Sequence, residues 1–244
     1  MINPNNFIVI ASLPRSGSTV LQRILATDTR YSTQDETWVF PFISVNFLQD
    51  NTNSVLGHKT ALTQVNRAIP DLEKALLRTA IVETMNQGGR YVIEKTPRNY
   101  ISIKGLNSIG LSVILIVRNP ALILASSMKN LFNNELRHIH GYLVDYTLGI
   151  QCLVEGRNND ENCLIRYEEL TKYDFSSLGL SVDLDNLVIL NNRIGDKNRG
   201  KRVLLQNDIK KYVYAFNLEY LRHTTGQMPI DQLFEAWMVT ELVF

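Results

Sequence analysis

The segment Ser12-Leu13-Pro14-Arg15-Ser16-Gly17-Ser18-Thr19 brings together an arginine, a glycine and the hydroxyls of Ser16, Ser18 and Thr19, all side chains that serve an anion. It lies between an apolar run and a stretch of helical periodicity. The first N–H groups of a helix have no partner within it, and the macrodipole is positive there, so such a turn is built to hold an anion. Gly17 lets the backbone approach closely and Arg15 adds a fixed charge. The plain alternative is a serine-rich turn with an exposed arginine. A nucleoside-triphosphatase loop requires Gly, four residues, then Gly-Lys-Ser/Thr. Ser12 and Ser18 stand where that pattern needs glycine and lysine. The cation has moved to Arg15, which suits one phosphate carrying one transferable group.

A second cluster follows the run 113–117: Arg118-Asn119-Pro120, with Ser126 and Ser127 beyond. An arginine at a strand's C-terminal edge sits where open α/β sheets collect ligands, and guanidinium plus hydroxyl can clamp a phosphate. A simple salt bridge is the alternative for Arg118. Together the two segments resemble the PAPS-dependent sulfotransferases, where PAPS is 3′-phosphoadenosine 5′-phosphosulfate. Pro14-Arg15-Ser16-Gly17-Ser18-Thr19 resembles their 5′-phosphosulfate loop, with Lys or Arg at the position of Arg15. Arg118 and Ser126 match their 3′-phosphate motif, an Arg, a short Asn/Asp-Pro turn and a Ser eight positions after the Arg. The resemblance implies that Arg15, Ser16, Gly17, Ser18 and Thr19 hold the 5′ end of PAPS and that Arg118 and Ser126 hold its 3′-phosphate. It also implies that no metal is obligatory. Ile165-Arg166-Tyr167-Glu168-Glu169-Leu170 is similar to the family's Tyr-Glu-Asp-Leu element, which would put Tyr167 beside the adenine; a half-buried structural tyrosine is the alternative. The basic loop 194–201 offers Arg199 and Gly200 as a late segment closing over the nucleotide, or else a solvated turn.

Transfer to a hydroxyl or amine calls for a base. The cytosolic sulfotransferases use a histidine after a central strand. The corresponding stretch here, Glu94-Lys95-Thr96-Pro97-Arg98, has none. Gln34-Asp35-Glu36-Thr37-Trp38 resembles the Glu-Glu-Thr segment of the tyrosylprotein branch, which assigns Glu36 as base, with Asp35 as rival if the register slips by one. The family position of Lys95 makes it a second cation for the sulfuryl group; an ion pair with Glu94 is the structural alternative.

These groups must be carried by regular elements. The runs 7–11, 91–94, 112–117 and 162–165 are apolar without alternation, as buried parallel strands are. Helical patterns cover 18–26, 71–87, 120–129 and about 134–154, and a later one covers 208–221. On 71–87 the apolar positions picked out are Leu72, Ala75, Leu76, Ala80 and Val82, and the pattern stops at Gly88-Gly89. Strands alternating with helices predict a single α/β domain over 1–244, a central parallel sheet flanked by helices. The resemblance implies the P-loop-like sulfotransferase version of that fold.

Composition narrows the function. With 25 basic against 24 acidic residues, no broad surface for nucleic acid or anionic lipid is expected, though a local anion pocket is. Cys152 and Cys163 form neither a disulfide framework nor a metal spacing, although one bridge between them is open. His58, His138, His140 and His223 make no ligand set, and no structural metal is expected. The run 7–11 is too short for a signal or a membrane span, so a cytoplasmic protein is expected. Aromatics in the segments 38–67 and 131–146 fit a partly apolar acceptor or, equally well, buried core packing. The modest size of the chain and the lack of an apolar anchor segment lead to the expectation of a small metabolite, lipid or biosynthetic intermediate as acceptor. The rival readings are an ATP- and magnesium-dependent kinase or nucleotidase, and a catalytically silent nucleotide-binding module.

Overall fold

In the computed structural model, residues 6–33, 36–45, 69, 71–88, 91–118, 123, 126–127, 149, 152–153, 155–156 and 159–184 are described. Five parallel strands form one sheet: β1 (Phe7–Ser12), β2 (Ser32–Thr33), β3 (Val92–Lys95), β4 (Val113–Val117) and β5 (Cys163–Arg166). Their order is β2-β3-β1-β4-β5, with β1 at the centre. The register pairs Val9 with Glu94 and Ile10 with Lys95 on one side of β1, and Ser12 with Ile116 on the other. Four of the strands coincide with the four apolar runs to within a residue or so at each end. The edge strand β2 is two polar residues long, too short to carry a pattern.

Successive residues face opposite sides of a strand, so the run of apolar residues supplies two cores at once. Phe7, Val9, Ala11, Val92, Val113, Leu115 and Val117 pack on one face with residues of α2 (Val39–Val45), α3 (Leu72–Gly88) and α4 (Ile103–Ser108). Ile10, Ile93, Ile114, Ile116 and Ile165 pack on the other with α1 (Ser18–Leu25) and the two 3-10 turns Tyr167–Lys172 and Phe175–Leu178. Cys152, Leu153, Glu155 and Gly156 are helical, which carries the helix expected over 134–154 at least two residues further. It approaches the first core closely: a Cβ on Gly149 would stand 2.2 Å from Leu13.

Helix α3 buries a different stripe from the one expected. Leu77, Ile81 and Thr84 face inward, whereas Leu76 and Val82 are exposed. Apolar residues occur on several sides of this helix, so periodicity alone does not select its inner face. Helices α2 and α4 and the 3-10 turn Asn99–Ser102 were not foreseen, each being too short to establish a period. Cys152 and Cys163 are free thiols; Cys163 Sγ lies 2.8 Å from Tyr173 Oη, and burial, with the Glu155 charge as a lesser cause, pushes the Cys152 thiol up to about 12. No helix among the described residues is long and apolar enough to cross a membrane. The expected helix 208–221 and loop 194–201 lie outside the described residues.

Candidate active site

Strand β1 ends at Ser12 and the chain turns sharply before α1. Arg15 adopts φ 71 and Gly17 φ 95, both left-handed. Glycine accepts that conformation freely, whereas a non-glycine residue there costs about 1–3 kcal/mol. A Cβ on Gly17 would also lie 2.1 Å from the Tyr167 ring, so no larger residue fits without displacing the tyrosine. The first helical bonds run from the amides of Val20 and Leu21 to the Gly17 carbonyl, at 2.9 and 3.0 Å. The Ser18 and Thr19 amides therefore precede the helical bonding, and Gly17 offers no side-chain cap.

The side chains around this turn repeat the theme. The hydroxyls of Ser12 and Ser16 and the Nε of Arg118 are buried without a hydrogen-bond partner. Leaving a buried polar group unmet costs about 1–3 kcal/mol each. Arg118 leaves the end of β4, donates through Nη1 to the Arg15 carbonyl at 3.2 Å, and lies 4.4 Å above the Tyr167 ring centroid. Arg15 Nε donates to Ser126 Oγ at 3.0 Å. The two groups of residues expected to grip opposite ends of one nucleotide thus touch each other directly. Among the described residues, neither Arg15 nor Arg118 has a carboxylate partner. Two guanidiniums, the start of a helix and orphaned buried donors make a setting that fits phosphate groups. Tyr167 is only 6% exposed, so it is the floor beneath Arg118 and against Gly17.

Across β1, the end of β3 carries opposite charges on opposite faces. Lys95 is buried, and its Nζ reaches Glu36 Oε1 at 2.5 Å. The alternative partner, Glu94, points the other way. It is fully buried and accepts from Thr37 Oγ1 at 3.1 Å, Thr96 Oγ1 at 2.6 Å and Asn99 Nδ2 at 2.5 Å. Burial pushes its carboxyl above the usual range, and the Thr96, Asn99 and Thr37 donors pull it back. Glu36 is the more open partner of its pair, its side chain 38% exposed. Glu36 and Lys95, expected as base and cation, are thus paired directly with each other.

Arg15, Ser16, Gly17, Ser18, Thr19, Arg118, Ser126 and Tyr167 therefore stand together at one end of the sheet, and Lys95 brings Glu36 to the C-terminal end of β3. Asp35, Arg199, Gly200 and the four histidines lie outside the described residues. No set of side chains suited to a metal ion occurs among the described residues. The sequence reading overlooked the contribution of Thr37, Thr96 and Asn99, and treated Glu94 only as a partner for Lys95. A glutamate directly after Val92-Ile93 in an apolar strand was the available signal.

A central parallel sheet with an anion-ready loop between its middle strand and the first helix defines a P-loop-like α/β protein. The chain belongs to the sulfotransferase family, whose sequence profile matches residues 7–177. Among solved structures, the sulfotransferase domain of the Synechococcus PCC 7002 olefin synthase is 19% identical, with a TM-score of 0.50 over 97% of this chain and 94% of that one. That likeness shows a shared fold. Mouse sulfotransferase SULT7A1, solved in complex with PAP, is 14% identical with a TM-score of 0.46; the match covers 78% of this chain and 64% of the mouse chain. No curated protein matches the chain significantly in sequence.

Proposed function

We propose that residues 1–244 act as one cytoplasmic sulfotransferase domain, moving a sulfuryl group from PAPS to a hydroxyl or amine of a small-molecule acceptor. The observation that carries this reading is the contact of Arg15 with both Arg118 and Ser126 near the start of α1. Arg15, Ser16, Gly17, Ser18 and Thr19 would hold the 5′-phosphosulfate, and Arg118 with Ser126 the 3′-phosphate. Arg199 and Gly200 are proposed to cover the nucleotide, and Tyr167 to support its site through Arg118. PAPS supplies an activated sulfuryl group on a phosphate leaving group.

The protein's part is placement and charge. Lys95 occupies Glu36 Oε1, leaving Oε2 to take the proton from the acceptor as its oxygen or nitrogen bonds to sulfur. The bond from sulfur to the bridging oxygen breaks, and its electron pair stays with the phosphate. Arg15 offsets that charge. As Glu36 gains a proton it stops neutralising Lys95, whose charge then becomes free to act on the same leaving oxygen. Trp38 and Phe42, exposed just beyond Glu36, support a partly apolar acceptor.

Calorimetry with PAP and ADP, with and without magnesium, tests the nucleotide assignment. Preferred, magnesium-independent binding of PAP is expected; preferred binding of ADP with magnesium would move the protein to the ATP-dependent enzymes. PAPS turnover against an acceptor panel, with release of PAP to water as baseline, separates an enzyme from a silent module.

A further inference from the structure

Residues 36–38 belong to no helix or strand, yet they deliver Glu36 to Lys95 across a sequence separation of 59. Besides the Lys95 contact, the Phe42 amide bonded to the Trp38 carbonyl at 3.0 Å and Arg98 over the Trp38 ring, two of their fastenings lead to one carboxylate. Thr37 donates its hydroxyl to Glu94 Oε1 and accepts from the Val39 amide at 3.4 Å, at the start of α2. The Trp38 amide donates to Thr96 Oγ1 at 3.2 Å, and that hydroxyl donates onward to the same Glu94 oxygen. On the other carboxylate oxygen, Asn99 Nδ2 donates to Glu94 Oε2 and also to the Ile10 carbonyl of β1 at 3.1 Å. A glutamate with no exposed surface is thus tied at once to the strand feeding the phosphate loop, the residue after Lys95 and the residue after Glu36.

We infer that Glu94 is a positioning residue: through Thr37 and Thr96 it holds the segment 36–38 so that the Glu36 carboxylate meets Lys95 beside the phosphate loop. The inference rests on the proposed sulfuryl transfer and assigns Glu94 no contact with substrate. The alternation of β3 explains the division of labour. Lys95 faces the α1 side, and Glu94 faces the α2 side one residue earlier. A carboxylate there can accept from three donors at once, which an amide or an apolar side chain cannot. The Trp38 backbone, at φ 57, is left-handed and so strained for a tryptophan, and needs such restraint to persist.

The test uses the full chain with Thr37→Ala, Thr37→Ser and Glu94→Gln. Two quantities are read: PAP release from PAPS, and amide exchange over 36–39 by mass spectrometry. Thr37→Ala removes one tie at an exposed position. It is expected to quicken exchange of that segment and lower kcat on the order of 10- to 100-fold, the scale of an ångström-sized misplacement, with PAP affinity unchanged. Thr37→Ser should restore both. Glu94→Gln, which sets an amide NH2 against that of Asn99, should match or exceed the Thr37→Ala loss. In a Glu36→Gln background, Thr37→Ala should cost nothing further, because its effect passes through Glu36. Unchanged exchange and kcat in Thr37→Ala, or a full additional loss in the Glu36→Gln background, would overturn the inference alone. A wild-type protein that neither binds PAP nor releases it from PAPS would overturn the functional reading and the inference with it.

Discussion

The two flanks of β1 are built on opposite electrostatic plans. Toward β4 and β5, Arg15 and Arg118 lie together without a carboxylate among the described residues, and buried donors on Ser12, Ser16 and Arg118 go unmet. Toward β3, charge is answered within the protein: Lys95 by Glu36, and Glu94 by three neutral donors. A surplus of donors marks a region whose missing partner is an anion from outside. On the β3 side the charges are balanced and the atom left unmet in that set, Asn99 Oδ1, is an acceptor that offers an anion nothing, which suits a region whose task is to hold geometry. Under the proposed function, nucleotide binding and charge stabilisation by Arg15 fall on one side of the strand and proton transfer on the other, and substitutions on the two sides should fail differently.

The largest effect is expected at Arg15, which belongs to both the phosphate loop and the Ser126 contact. Arg15→Ala should reduce PAPS turnover by at least about 10²-fold, because charge on the departing phosphate loses its stabilisation. Next, Glu36→Gln should lower turnover on the order of 10²-fold while PAP affinity by calorimetry stays almost intact. Arg118→Ala should reverse that pattern. It should weaken PAP binding by about 1.5–3 kcal/mol, the scale of charge-assisted hydrogen bonds. Equal damage to binding from Glu36→Gln and Arg118→Ala would erase the distinction between the flanks.

A control away from both flanks sharpens it. Asp28 is buried after α1 and receives Arg30 side-chain bonds, the Arg30 amide and the Ser181 amide at 2.9 Å. The Arg30 guanidinium, foremost, holds its carboxyl well below the ordinary 3.8. A depressed carboxyl adds stability above its unfolded value and loses it as pH falls toward the folded one. Asp28→Asn should therefore cost about 1–3 kcal/mol at neutral pH, with the gap from wild type closing below about pH 4 in denaturant titrations. PAP affinity should not change.

Much of the binding flank was legible in the residue order because its parts are local. Arg15, Gly17 and the hydroxyls lie in one turn, and Arg118 ends an apolar strand whose run is visible on sight. The β3 flank was only half legible. Glu36 and Lys95 could be nominated from resemblance, but Glu94 looked like a partner for Lys95, and nothing in the order of residues pointed to Thr37, Thr96 or Asn99. The inner face of α3 failed for a related reason: with apolar residues on several sides, only the neighbours choose which stripe is buried.

The sequence by itself determined four of the five strands, the left-handed turn that only Gly17 enters without strain, and the positions of the cations, since each depends on residues within a few positions of one another. Tertiary structure alone decided that Arg15 reaches Ser126 across 111 positions, that Lys95 turns to Glu36 instead of Glu94, and that Tyr167 lies beneath Arg118. The physical reason is that a side chain's partner is set by the packing of strands and loops distant in sequence, and local pattern carries no record of that packing.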